Sequence, residues 1–192
     1  GMRWNTSADT GMSVAIYRTE NKDDILFRAA TTAGAGYFSN FSRTRHQGID
    51  LSGFTKLSQF DLRASYSYLN ATYQADGTLF GGERDIAVTP GTRIAGLPAH
   101  TIKLNADWRA SPQLVIGGTL MTTSSVVTQG NEDGQIEGGA SVNAKVAGYT
   151  LLNLHANYEV QKGLDYFVRI NNVLDRRFES YGMMARNAFA AN

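Results

Sequence analysis

The strongest constraint on the fold is a strict alternation of apolar and polar residues. In the clearest stretch, the residues on one face are Phe60, Leu62, Ala64, Tyr66 and Tyr68. Similar stretches cover residues 100–109, 152–160 and 164–171, with Phe167 as one exception. Alternation over eight or more residues is typical of strands with one apolar and one wet face. Since a helical period is absent apart from one short turn expected at 172–176, the sequence predicts an all-β chain.

Composition excludes several other classes of protein. The 192 residues fit one domain, and 42% of them are hydrophobic. The 18 Lys and Arg against 17 Asp and Glu give a net charge of +1, which does not favour a nucleic-acid partner. Cysteine is absent, which excludes disulfide scaffolds and Cys-based zinc sites. No apolar run approaches the roughly 20 residues of a membrane helix, so a helical membrane protein is excluded.

The connections between the predicted strands alternate between short and long. Short links lie at residues 57–58, 110–112 and 161–163, and long glycine-rich links lie at 31–36, 73–97 and 128–148. Turn-forming pairs in the long links include Asp76-Gly77, Gly81-Gly82 and Asp133-Gly134. An antiparallel up-and-down meander places all short turns at one end and all long loops at the other. We expect about seven strands, the first through 12–27 with a bend at 21–24.

Two architectures fit this meander. In a soluble β-sandwich the apolar faces pack inward, whereas in a membrane barrel they contact lipid, so the alternation alone does not decide. Sorted loops, strands of about 9–11 residues and aromatic residues near strand ends favour the barrel. Those aromatic residues are Tyr66, Tyr68, Trp108, Tyr149, Tyr158 and Tyr166.

Four short motifs occur in order along the chain. The first places Asn40, Arg45, Gly48, Ile49 and Asp50 in the pattern N-x4-R-x2-G-(I/V)-(D/E). Residues 97–102 read LPAHTI, and residues 148–154 read GYTLLNL. The fourth motif, NNVLDRRF at 171–178, contains Asn171, Asn172, Leu174, Asp175 and Phe178. With this order and spacing, the chain from Gly11 to Phe189 resembles the barrel of TonB-dependent outer-membrane receptors.

The resemblance implies a location and an architecture. Receptors of this family have a plug domain inside a 22-stranded barrel, and residues 1–192 resemble the last third of that barrel, without the plug and the closing strand. The expected location is the bacterial outer membrane, in contact with lipid. The expected energy source is a TonB-type protein that engages the missing N-terminal plug region. An isolated arc with two unpaired edges would aggregate, self-pair or curl.

The motif residues are interpreted as folding elements. Gly48 is expected to form a bulge or to allow a close approach by a neighbouring side chain. Asn172 and Asp175 are expected to cap backbone groups where the strand ends, and Phe178 to hold that turn against the wall. Asn40, Arg45, Asp50, Asn171 and Leu174 belong to the same structural set. Ion-pair ladders across strands are expected from Asp61, Arg63, Lys103, Asp107, Arg109, Glu159 and Arg169.

Nothing in the sequence predicts an enzyme or a cofactor. The three histidines, His46, His100 and His155, lie on separate predicted strands without the spacing of metal ligands. No serine-hydrolase, zinc-protease, P-loop or dinucleotide motif occurs. The acidic pairs Glu83/Asp85 and Glu132/Asp133 lie in long loops, where solvated turns are the simpler interpretation.

Ligand capture is the remaining activity. Arg84 and Arg93 could bind an anionic iron chelate through charge, and Tyr73 and Phe80 could stack on it. The resemblance implies energy-coupled import of a scarce nutrient, with a ferric siderophore as the first candidate. Two alternatives remain at this stage, a soluble β-sandwich binding or adhesion module and a passive porin-like barrel.

Overall fold

The computed structural model describes residues 1–29, 36–80, 84–136 and 138–184. Several positions singled out in the sequence lie outside the described residues. They are most of the predicted loop 31–36, the Gly81-Gly82 turn, Glu83, and the end of the chain from Phe189.

Twelve strands form the described structure. They are β1 Met2–Asn5, β2 Thr10–Ala29, β3 Gly36–Leu57, β4 Phe60–Tyr73, β5 Gly77–Phe80, β6 Asp85–Val88, β7 His100–Arg109, β8 Leu114–Thr123, β9 Val126–Val127, β10 Lys145–Val146, β11 Tyr149–Gln161 and β12 Leu164–Ile170. Eight of them form one antiparallel sheet in the order β1-β2-β3-β4-β7-β8-β11-β12, here called the wall. The all-β meander is confirmed. The eighth strand is β1, whose four residues are too few for alternation to reveal.

The connections are sorted by length as the sequence predicts. Short turns follow β1, β3, β7 and β11 and define the short-turn end of the wall. The described parts of the long connections lie at the other, long-loop end. They contain two small sheets that the sequence did not predict, β5 with β6 and β9 with β10.

One face of the wall is uncharged between the short turns and Ile16. The strand pairings connect its residues across all eight strands. Typical rows are Val14, Leu51, Tyr66 and Ile102, then Leu104, Leu120 and Leu152. Within this stretch no Asp, Glu, Lys or Arg lies on this side, here called the apolar face, in the paired, described residues, because each charged residue between the short turns and Ile16 lies on the opposite, polar face.

The apolar face is not covered by a second layer of described residues. Ile16 is 75% exposed, and Phe60, Leu104, Trp108 and Ile170 are also exposed. The sandwich alternative is therefore wrong, since its apolar face would pack inward. Tyr149 is a smaller correction: Thr150 shares the apolar face with Thr122, so the neighbouring Tyr149 lies on the polar face rather than in an aromatic girdle.

The buried core lies at the long-loop end. Phe41 of β3 and Tyr73 of β4 meet edge-to-face, with ring centroids 4.8 Å apart. Leu79 of β5 and Ile86 and Val88 of β6 complete the cluster, and each is less than a tenth exposed. This core lies over the polar side of β3 and β4. Tyr73 pairs with Thr44, which is four residues from Gly48 on β3 and therefore shares the polar face with it.

An irregularity in the β2–β3 pairing exchanges the two faces of the hairpin. Asp23 has φ 55°, in the region where the sequence predicts a bend, and Asp23 and Ser42 both leave the ladder. Pairing resumes with Asp24 opposite Phe41. One residue has been skipped on each strand, so the faces exchange and Phe41 turns toward the core.

The described residues contain no helix with the length and apolar character to cross a membrane.

Candidate functional site

Three segments meet above the polar side of the wall. They are the described residues of 74–99, 124–148 and 171–184, here called the loop cap. Gln129 joins two of them, since its N–H donates to the Gly182 carbonyl at 3.0 Å and its carbonyl accepts from the Met184 N–H at 2.8 Å. The Gly96 N–H donates to the Val127 carbonyl at 3.0 Å. Backbone hydrogen bonds thus connect all three segments.

Arg84 and Asp133 form a salt bridge between the first two segments. The guanidinium donates to both carboxylate oxygens, at 2.7 and 2.5 Å, and to the Gln135 carbonyl at 2.5 Å. The two side chains are only 20% and 15% exposed. Hydrogen bonds from Arg84 lower the pKa of Asp133, and the Asp133 carboxylate raises the pKa of Arg84. This bidentate pair is a loop clasp of the kind that Arg geometry favours.

Glu132 lies beside the clasp but is oriented differently. Its carboxylate accepts a hydrogen bond from the Gly130 N–H at 3.0 Å. Burial raises the pKa of Glu132, and burial together with the Glu132 charge raises the pKa of Tyr181. Glu132 lines a cavity of about 150 Å³ with Phe80, Ile94 and neighbouring residues. The cavity therefore combines an apolar wall with one carboxylate of reduced acidity.

Asn131 organises the second segment, and sequence reasoning missed it. Its side chain is almost fully buried, donates to the Gln135 carbonyl at 2.8 Å and accepts from the Ala144 N–H at 2.7 Å. An asparagine between glycine and acidic residues reads as an ordinary turn former, so nothing in the local pattern distinguishes it.

The four predicted ligand contacts occupy different environments. Tyr73 is 3% exposed and packs in the core, and Arg84 is engaged by Asp133. Phe80 lines the cavity. Arg93 is exposed and pairs through its backbone with Thr72, as a continuation of the sheet beside β4. The structure brings Tyr73 and Phe80 together at the cavity, but Arg93 lies outside it. The role of all four in ligand binding stays a prediction.

The residues of the first motif lie along β3. Arg45 donates two hydrogen bonds, at 3.1 and 2.8 Å, to one carboxylate oxygen of Glu20. Asp50 accepts from the Ser67 hydroxyl at 2.5 Å. Gly48 is buried, and a methyl group there would collide with the Tyr68 carbonyl oxygen and lie 2.6 Å from the Tyr17 hydroxyl oxygen. The strand pairing is continuous through Gly48, so the predicted alternative of a bulge is wrong. Asn40 pairs with Ile25 above the face exchange. Each of these positions faces a partner on a neighbouring strand.

The last motif follows β12 at the long-loop end of the wall. The Asn172 side chain accepts from the Arg176 N–H at 3.0 Å and donates to the Arg176 carbonyl at 3.1 Å. Asn172 and Asp175 have φ 51° and 45°, which asparagine and aspartate tolerate better than most residues. Phe178 packs on Tyr149 with ring centroids 4.4 Å apart. Asn171 and Leu174 are exposed.

The charges on the polar face do not form the predicted cross-strand ladder. Asp61 lies opposite Asp107, and Glu159 opposite Asp165, so the paired positions carry like charges. Arg63 instead contacts Asp61 on its own strand at 3.0 Å. The His155 ring lies 3.0 Å from Asp107, above Gly117, where there is no side chain to separate them. Among the described residues, no three potential metal-ligating side chains cluster.

Comparison with known proteins identifies the family. The family described as "TonB dependent receptor-like, beta-barrel" matches residues 1–173. The chain belongs to the TonB-dependent receptor family. This is a family of transport receptors rather than enzymes.

Individual members are distant in sequence but similar in fold. The chain is 23% identical to the probable TonB-dependent siderophore receptor PiuA of Acinetobacter baumannii, over 93% of this chain and 22% of that receptor. It is 23% identical to the metal-pseudopaline receptor CntO of Pseudomonas aeruginosa, over 88% and 22%. The crystal structure of PiuA matches with a TM-score of 0.71, at 19% identity, over 94% of this chain and 24% of that chain.

A second solved receptor has the same fold. The ferric-catecholate import receptor Fiu of E. coli K12 matches with a TM-score of 0.66, at 16% identity, over 93% of this chain and 23% of that chain. The present chain therefore spans about a quarter of the length of these receptors.

Proposed function

We propose that this chain is a wall-and-cap section of an outer-membrane receptor that imports a chelated metal, with a ferric siderophore as the first candidate. The observation that carries the proposal is the uncharged apolar face, which continues across eight strands. An exposed apolar surface of this extent needs a non-aqueous partner. A lipid bilayer supplies one for every strand of the wall.

The spacing of aromatic residues on that face supports a membrane position. Phe60 stacks on Trp108 near the short turns, with ring centroids 6.4 Å apart. Eight residues further along β4, Tyr68 packs on His100. Eight residues rise about 27 Å along a strand, or about 21 Å along the membrane normal at a tilt of about 40°. This value is close to the apolar band of about 25 Å in outer-membrane barrels.

The open edges support membership of a larger barrel. The described residues of β1 and β12 each pair with one neighbour only. Unpaired backbone groups at membrane depth are very costly, so both edges require further strands. We propose that residues 1–192 are one part of the wall, with a plug domain and closing strands in the rest of the receptor. Energy from a TonB-type partner would then act through the plug region.

The loop cap is the proposed ligand-binding region. A cavity of about 150 Å³ is smaller than the roughly 300–1,000 Å³ of small-molecule pockets, so it accepts only an edge of a metal chelate. Phe80 would contact that edge, while Tyr73 and the clasp of Arg84 and Asp133 hold the loops in position. The names of PiuA, CntO and Fiu refer to siderophores or chelated metals, which supports a chelate as cargo.

Uptake by source cells tests the proposal. The gene that encodes this chain is deleted, and uptake of radioactive iron is measured with a panel of ferric siderophores, before and after a protonophore collapses the proton gradient. We expect uptake from one chelate to be lost on deletion and abolished by the protonophore. Uptake that is lost on deletion but survives the protonophore would indicate a passive porin-like barrel. Unchanged uptake of every chelate would refute the import proposal.

A cap variant refines the same experiment. Phe80→Ala removes the aromatic edge of the cavity without removing a member of the buried cluster, and is expected to weaken chelate binding about tenfold. Phe167→Ala is the matched control, because Phe167 is an exposed aromatic residue on the polar face of β12. Equal effects of the two variants would remove the cap from the proposed site.

A further inference from the structure

The cavity in the loop cap contains a carboxylate that the proposed function does not use. Three buried residues line the cavity, namely Tyr73, Leu79 and Ile86. Three partly exposed residues line it as well, namely Phe80, Ile94 and Glu132. Because half of this set reaches the surface, the cavity is accessible to a solute, and Glu132 is its one acidic residue among the described lining residues.

Glu132 has no cationic partner in the part of the chain that the structure describes. Its carboxylate accepts a hydrogen bond from the Gly130 N–H at 3.0 Å, and no salt bridge reaches it. Arg84 is the cation whose charge acts on Glu132. The terminal nitrogens of Arg84, however, already donate to both Asp133 oxygens and to the carbonyls of Asp85 and Gln135.

An unpaired carboxylate in such a place favours a bound cation. Charged groups that leave water are normally paired with an opposite charge, because desolvation is otherwise uncompensated. Burial raises the pKa of Glu132, which agrees with a carboxylate that lacks a counter-ion. A cation in the cavity would supply the missing charge without disturbing the Arg84–Asp133 clasp.

The size and the lining of the cavity restrict the class of cation. The volume of about 150 Å³ holds about five water molecules at about 30 Å³ each, which suits a nitrogen on a stem of about four carbon atoms. Divalent metal ions need several oxygen ligands, and no three potential metal-ligating side chains cluster among the described residues. Leu79, Ile86 and Ile94 can instead cover methylene groups, as apolar surfaces cover the stem of a lysine. Phe80 adds an aromatic ring, which attracts an ammonium group.

We propose that the cavity binds a primary alkylammonium arm of the imported chelate, with Glu132 as its counter-ion and the apolar lining around its methylene groups. This inference rests on the proposed function, since it names the chemical class of the chelate edge that enters the cavity. It also makes Glu132 a residue that determines specificity. A chelate with a neutral arm leaves the carboxylate unpaired, and one with an anionic arm is repelled.

Binding of n-butylammonium to the complete receptor in detergent micelles tests the cation site. Saturation-transfer NMR gives the dissociation constant for the wild type, Glu132→Gln and Glu179→Gln. The amide of Glu132→Gln can still accept from the Gly130 N–H, so this variant should fold. Glu179→Gln is the matched control, because Glu179 is exposed in the same loop cap and does not line the cavity. We expect about tenfold weaker binding for Glu132→Gln and unchanged binding for Glu179→Gln.

Several results would overturn the inference. One is equal affinity in the three proteins, and another is no binding to the wild type, as when a lysine from the rest of the receptor already fills the cavity. n-Butanol has the same stem without the charge and should bind wild type and Glu132→Gln equally weakly. A loss for n-butanol as large as that for n-butylammonium would show that charge does not matter. Mg²⁺ at the same concentration should not compete, and competition would indicate a metal site instead.

Iron uptake separates this inference from the import proposal. Uptake is compared for ferric chelates that carry a free aminoalkyl arm and for the same chelates with that arm acetylated. We expect acetylation to reduce uptake about tenfold in cells with the wild type and to have little effect in cells with Glu132→Gln. Uptake that ignores the arm would refute the inference and leave chelate import standing. No uptake of any chelate, with n-butylammonium binding still dependent on Glu132, would refute import and leave the cation site standing.

Discussion

The wall and the loop cap are stabilised in opposite ways. The wall has continuous strand pairing across eight strands, but its apolar side chains are exposed. The loop cap has only short strands, but its Leu79, Ile86 and Val88 form a buried cluster with Phe41 and Tyr73 at the end of β3 and β4, and it contains the largely buried clasp of Arg84 and Asp133. Most of the wall therefore depends on its surroundings for hydrophobic stabilisation, whereas the cap is stabilised by a small core that it shares with the ends of β3 and β4. Sheet content alone therefore does not identify the part of the molecule that contains a buried core.

The largest test of this difference is an identical truncation in both regions. Ile86 is 1% exposed in the cap, and Ile16 is 75% exposed on the wall. Ile86→Ala is expected to destabilise the cap by about 2–5 kcal/mol through lost burial and a cavity. Ile16→Ala should cost about 0.5 kcal/mol or less in detergent. Hydrogen exchange of the receptor in detergent measures both, and a comparable loss of protection in the two variants would contradict the distinction.

The second test compares two ion pairs. Asp133→Asn removes the charge that holds Arg84, and a hydrogen bond to a charged group contributes about 1.5–3 kcal/mol. Asp61→Asn breaks the more exposed contact with Arg63, where we expect about 0–1 kcal/mol. Limited proteolysis within 124–148 reports opening of the clasp. Faster cleavage is expected for Asp133→Asn only, and equal rates for the two variants would show that the clasp does not hold the cap.

The smallest effect is a pH dependence of the cap. Burial raises the pKa of Glu132, so its protonated form fits the folded cap better. The contribution of this group is complete below its ordinary pKa near 4.5 and is lost as pH rises through the raised value. Asp133 has a lowered pKa, and its contribution is lost only as pH falls through that lower value. Between these limits Glu132 determines the trend.

Glu132→Gln removes this trend. We expect the variant to protect the cap better than the wild type near neutrality, by about a degree or two in Tm, and the two proteins to converge toward pH 4.5. Melting curves of the receptor in detergent across this pH range provide the measurement. A constant difference between wild type and variant at every pH would exclude titration of Glu132 as the cause.

Sequence patterns predicted the wall far better than the cap. Alternation at 60–68 reports directly on which face a residue occupies, because the period of a strand is fixed. The cap depends on contacts between loops that are distant in sequence. Arg84 binds Asp133, 49 positions later, and no local sequence pattern predicts this contact. The same limit explains the ladder error. Alternation gave Asp61 and Asp107 the correct face, but only the register places them opposite each other.

The close approach at Gly48 lies between these extremes. A glycine inside an alternating strand indicates that something comes near, but not what. The structure identifies the neighbours as the side chain of Tyr17, directly opposite on β2, and the carbonyl oxygen of Tyr68 on β4. Among the predicted girdle residues, Tyr66 and Tyr68 lie on the apolar face. Tyr149 lies on the polar face, because its neighbour Thr150 occupies the apolar position.

The skipped pair at Asp23 and Ser42 has a consequence for engineering. Because one residue leaves the ladder on each strand, the partners above and below it stay aligned while their orientation is reversed. The part of the β2–β3 hairpin beyond Asp23 and Ser42 could therefore be replaced by another β-hairpin without a change in the register of the pairs between Lys22–Arg43 and the short turns. Removing both residues would keep the alignment and leave Leu26 and Phe41 facing inward, whereas drawing Asp23 and Ser42 into the ladder as a regular pair would turn them outward. Removing only one would displace every pair beyond it, so the two positions should be exchanged or kept together.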